Sequence, residues 1–86
     1  MAKTACEEAA DILETAIDYK GNVVAAGQQE QCENLAKRLR AEGRELRRLR
    51  KSVVDYVKSP TTGAANIIYT YLEHEAARIQ KARNKK

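Results

Sequence analysis

Between Cys32 and Tyr56 the apolar residues fall on a seven-residue beat, and no other feature limits the fold of this chain as much. Cys32, Leu35, Leu39, Leu46, Leu49, Val53 and Tyr56 follow one another at spacings of three, four, seven, three, four and three. Such spacing keeps one seam of a helix turned toward a partner, as in coiled coils and helical bundles. One place in the beat holds Glu42 instead of an apolar residue, and Gly43 follows it. On the face opposite the seam, Lys37, Arg40, Arg44, Arg47 and Lys51 recur three and four apart, with Lys58 seven further on.

The flanking segments read as helices too. Thr4-Ala5-Cys6-Glu7 has the form of a capping box, in which the Thr hydroxyl accepts from the Glu amide and the Glu side chain returns to the Thr amide. Ala5, Ala9, Ile12, Leu13, Ala16 and Ile17 then form an apolar stripe that Gly21 ends. Asn22 can cap the next helix at once, so the connection is short and the neighbours are antiparallel. Ser59-Pro60 reads as a helix stop followed by a new start, with Ser as N-cap and Pro in the first turn. Ala65, Ile68, Leu72, Ile79 and Ala82 repeat the beat, with Glu75 at the interrupted place.

The fold class predicted is all-α, with three helices over about 5–20, 23–58 and 60–83 in an antiparallel hairpin or bundle with coiled-coil-like packing. A continuous helix over 23–58 would be about 54 Å long, and the two short helices would cover different halves of it. A chain of 86 residues forms one domain, 1–86, with 84–86 as a frayed basic tail. It buries only about 60–65% of the surface its unfolded form exposes. Its apolar share leans on Ala, with four Tyr and neither Phe nor Trp. The open face of a long central helix therefore predicts a homo-oligomer, most simply a dimer, with Leu35, Leu39, Leu46, Leu49 and Val53 at the interface. The competing arrangement is a three-helix bundle with the central helix broken at Gly27.

The formal charge of +4 is unevenly spread: −4 over residues 1–31, +5 over 32–58 and +3 over 59–86. A basic block on one helix face can follow the phosphates of a nucleic acid, whose binding is driven largely by counterion release. Lys37, Arg40, Arg44, Arg47, Arg48 and Lys51 are the candidate contacts, and the outer line from 37 to 51 would run about 21 Å along a continuous helix. No helix-turn-helix spacing, zinc-ligand set or aromatic RNA-binding signature accompanies them, so contacts to the backbone with low sequence specificity are expected. The function predicted is a small accessory or regulatory nucleic-acid-binding protein. The alternative is an inhibitor or adaptor that docks a charged helical face on an acidic partner protein, a style of small helical chain common among viruses.

The remaining groups point away from catalysis. Glu42 and Glu75 fall at nearly equal distances from Ser59, with His74 beside the latter, and could hold a divalent cation. Pairing of these seam carboxylates with an arginine such as Arg38 or Arg78 is the simpler role. With one His and no Ser/His/Asp or Cys/His set, no enzyme, catalytic residue, metal or cofactor is expected. Cys6 and Cys32 sit inside apolar patterns as small buried thiols. No apolar run approaches the roughly 20 residues that span a bilayer, and the first residues lack a signal-peptide core. An intracellular, cytoplasmic protein without membrane contact is the expectation.

Overall fold

The computed structural model describes residues 3–15, 28–43 and 46–85. Four helices account for most of them: α1 (Ala5–Thr15), α2 (Gln29–Glu42), α3 (Arg47–Lys58) and α4 (Thr62–Asn84). The described residues are all-helical as expected, but in four helices instead of three. Residues 16–20 of the first predicted helix, the Gly21-Asn22 turn and the entry at 23–27 with Gly27 lie outside the described residues.

The correction concerns the long central helix, which is two helices parted at Gly43. Gly43 has φ +50° and ψ −40° and donates its N–H to the Leu39 carbonyl at 3.1 Å. The last turn of α2 thus keeps its hydrogen bond while the chain turns away through a backbone conformation that costs an L side chain strain. The Cys6 thiol of α1 donates to the same carbonyl. A glycine inside a helix already weakens it by about 1 kcal/mol relative to Ala, so parting there sacrifices little. It also lets α1 pack on both α2 and α3. The molecule measures 41 × 28 × 20 Å, and a straight rod of about 54 Å would not fit inside it.

The seam survives the break and closes on its own chain. Leu35 and Leu39 on α2, Leu46 at the joint, and Leu49 and Val53 on α3 are all buried within the single chain, together with Cys6, Ala9, Ala10 and Leu13 of α1 and Ile68 and Leu72 of α4. The five residues expected at an oligomer interface are therefore buried within the single chain. The three alanine and cysteine side chains of α1 are small, which lets its backbone come close to the break.

Local signals set the other boundaries. At α1 the Glu7 N–H donates to Thr4 Oγ1 at 3.1 Å, and the Thr4 hydroxyl donates to Glu7 Oε1 at 3.2 Å. The carboxylate returns to the hydroxyl of the cap, not to its amide. At the α3–α4 corner Ser59 ends α3, its N–H donating to the Asp55 carbonyl at 2.8 Å. Pro60 disfavours helical backbone in the residue before it, and Ser59 is extended at φ −152° and ψ 85°. The N-cap passes from the expected Ser59 to Thr61, whose hydroxyl accepts from the Ala64 N–H at 3.1 Å. α4 then runs to Asn84, so the helix includes one residue of the tail expected to fray.

Candidate nucleic-acid interface

The basic residues expected on one line are divided among three settings. Lys37 is exposed on α2. Arg40, one turn on, points at α1: Nη2 donates to Asp11 Oδ1 at 2.9 Å and Nη1 to Glu14 Oε1. Lys3 completes this exposed cluster by donating to the other Asp11 oxygen. Hydrogen bonds from Lys3 and then Arg40 hold the Asp11 carboxyl below its ordinary range, and Arg40 does the same to Glu14. In return, Asp11 raises Lys3, while Glu14 and then Asp11 hold Arg40 more firmly protonated. Arg44 lies outside the described residues. The 37–51 line is therefore corrected: it needed an unbroken helix, and the turn at Gly43 leaves Arg40 with α1 while Arg47, Arg48 and Lys51 go with α3.

α3 carries a block of unpaired positive charge. It has five bases, Arg47, Arg48, Arg50, Lys51 and Lys58, against one acid, Asp55. Arg47, Lys51 and Lys58 are separated by four and seven residues, so they share the outer line of the helix, about 16 Å from first to last. Arg48 and Arg50 flank that line on opposite sides. Elsewhere Lys3, Arg38, Arg40, Arg78 and Arg83 each pair with a carboxylate, whereas no α3 cation forms an ion pair with any described residue.

Two clefts run beside this face along the packing line of α3 and α4. The larger, about 520 Å³, lies between α3 and the first turn of α4 and is walled by Arg48, Lys51 and Lys58 with Asp55 and Thr61. The smaller, about 280 Å³, is walled by Arg48, Ile67, Thr70, Tyr71 and His74. Arg48 belongs to both, so they form one track. Tyr71 is half-buried, and its ring meets His74 edge-on at 6.5 Å between centroids and 66° between planes. Reading the sequence placed Lys58 only as an extension of the basic line and did not place Arg50 among the contacts. The excess of bases over acids within 47–58 was the signal for both.

Glu75 does the work of a brace. It is only 4% exposed, and its Oε1 accepts from Arg38 Nη1 of α2 at 2.7 Å and from Arg78 Nη1 at 3.1 Å. Two cations on one buried carboxylate satisfy it and fix α4 against α2. The side chain of Glu42 lies outside the described residues. Among those described, no three His, Cys, Asp or Glu side chains gather as metal ligands do. Both thiols are free and buried, and burial, helped by Glu33, pushes Cys32 up to about 11, which suppresses its thiolate. No described helix is long and apolar enough to cross a membrane. No family model, curated protein or solved structure matches this chain, so its own chemistry must carry the reading.

Proposed function

We propose that the protein is a small accessory or regulatory factor that binds nucleic acid through its phosphate backbone, using α3 as the contact surface. The observation that carries this reading is the contrast in charge pairing. Lys3, Arg38, Arg40, Arg78 and Arg83 are each paired with a carboxylate, while Arg47, Arg48, Lys51 and Lys58 stand together on α3 with no ion pair to any described residue. Holding like charges together on one short helix is unfavourable unless an anion offsets them, and a polyphosphate backbone offers anions at a matching pitch. The four described helices present this face, and contact through it needs only a single copy of the chain. Arg40 leaves the set of contacts, because its guanidinium is already held by Asp11 and Glu14. Two free buried thiols suit a reducing compartment, where nucleic acid is also at hand.

A salt titration tests this reading. Binding to a random-sequence oligonucleotide should weaken linearly on a log–log plot, by a slope of about 0.7–0.9 for each phosphate contact. Arg47→Gln, Arg48→Gln and Lys51→Gln together should flatten that slope by about 2–3 and act alike on unrelated sequences. Absence of binding at about 50 mM salt, or affinity that ignores salt, overturns the proposal. Capture of an acidic protein after nuclease treatment, with no nucleic acid bound, would also overturn it, in favour of a protein-docking role.

A further inference from the structure

We infer that the track between α3 and α4 is a binding site for single-stranded nucleic acid, with phosphates held in the larger cleft and a base stacked on Tyr71 in the smaller one. This rests on the reading of α3 as a phosphate-binding face and narrows it to one class of strand. In the larger cleft Arg48, Lys51 and Lys58 surround the space, and Asp55 is the one carboxylate in its wall, so the cleft keeps an excess of positive charge. The first turn of α4 opens onto the same space. Thr61 caps that turn by accepting from the Ala64 amide, and Thr61 and Ala64 both line the cleft. The positive end of the α4 dipole thus adds to the three side-chain cations in attracting an anion.

The smaller cleft adds a feature that a phosphate alone does not require. Tyr71 offers a ring in its wall, with His74 and Ile67 beside it and the Arg48 guanidinium shared with the phosphate cleft. An aromatic face next to a cationic groove is the arrangement that binds single strands with little regard to sequence, because every base has a face to stack. A duplex keeps its bases stacked inside and would have to expel one to reach Tyr71. It could touch only the outer line of Arg47, Lys51 and Lys58. The Tyr71 side chain also packs against the core, so the site is held on two rigid helices and is formed before the strand arrives.

Fluorescence anisotropy with a twelve-residue oligothymidylate and a twelve-base-pair duplex, at about 50 mM salt, tests the inference. The wild-type protein should bind the single strand more tightly than the duplex. Tyr71→Leu, which keeps apolar bulk but removes the ring, should weaken single-strand binding by about 5-fold or more and leave duplex binding unchanged. Tyr71→Phe should behave as wild type. Should Tyr71→Leu prove unstable, the Tyr71 ring proton shifts of the wild-type protein give the same answer, moving on addition of the oligothymidylate. Equal affinity for both strands, an unmoved Tyr71 ring, or a Tyr71→Leu variant that binds the single strand normally overturns the inference while leaving a general phosphate-binding α3 intact. Failure of both ligands to bind sinks the underlying reading instead.

Discussion

Replacing Gly43 by Ala puts the division of the central helix to a direct test. At φ +50° and ψ −40° the backbone lies where an L side chain is strained, a penalty of about 1–3 kcal/mol. Steric contact adds little, because the new Cβ would stand 3.4 Å from Cys6 Sγ and 3.7 Å from the Leu39 carbonyl oxygen. Against the strain works the smaller entropy of the unfolded Ala chain, about 0.4–1 kcal/mol in the variant's favour. The net loss should be about 1–2 kcal/mol. For a domain of this size that lowers Tm by about 5–15 °C. Gly63→Ala is the control, because a Cβ there meets nothing within 4 Å and no positive φ is involved. It should raise stability by about 0.4–1 kcal/mol. Thermal melts followed by circular dichroism at 222 nm, with sedimentation to report mass, read both variants. If Gly43→Ala matches Gly63→Ala in sign, the reasoning fails. A higher Tm together with a doubled mass would mean that the chain prefers one continuous helix over 29–58 and pairs through its seam.

Two further outcomes follow from the ion pairs. Glu75→Ala strands Arg38, whose side chain is 31% exposed and can still reach water, so the loss should be about 1–2 kcal/mol, below the 3–5 of a fully buried pair; Glu75→Leu together with Arg38→Met, which replaces both partners by apolar side chains, should come out near neutral, and urea denaturation at matched m-values distinguishes the two. Asp11→Asn with Glu14→Gln should release Arg40 to join Lys37 as a phosphate contact, steepening the salt dependence of oligonucleotide binding by about 1. The same double variant should change the acid limb of stability. Both carboxyls lie below their ordinary values in the fold, so what they contribute is complete above about pH 4 and disappears as pH falls through the lowered folded values. Wild type should therefore lose stability below about pH 4 more steeply than the variant, and parallel curves would refute the pairing.

Much of the fold was legible because it is written in local chemistry. The Thr4 cap, the end of α3 at Ser59 and the seam positions Leu35, Leu39, Leu49 and Val53 each follow from side chains within one or two turns. The pairing of Glu75 with Arg38 and Arg78 was legible too, since a carboxylate on a seam needs a cation from the same or the facing helix. What the periodic pattern could not settle was continuity. A seven-residue beat carried across a turn of the chain looks the same in sequence as one carried along a rod, because only the register of apolar residues is recorded. Glu42-Gly43 marked the weak point, but whether the chain turns there depends on α1 being able to fill the angle. The small side chains of Ala9 and Ala10 and the Cys6 thiol on the Leu39 carbonyl answer that only in three dimensions.

The same turn explains why the basic line divides into a neutralised part and an open one. In a straight helix Arg40 and Arg47 would share a face, and any anion meeting one would meet the other. Turning at Gly43 sends the end of α2 against the acidic side of α1, where Asp11 and Glu14 take Arg40. α3 leaves the joint toward α4, whose first three turns carry no acid at all. Positive charge is thus sorted by where each helix packs. Asp11 and Glu14 of α1 are taken up by Lys3 and Arg40, and no described acid pairs with Arg48, Lys51 or Lys58. The hinge that removes the long rod therefore also concentrates the unpaired cations beside Tyr71, which lines a cleft with Arg48. A ligand that reads both charge and ring would be drawn to that side of the molecule, and Asp55→Lys or Thr61→Asp, on the two banks of the track, would alter its affinity in opposite directions.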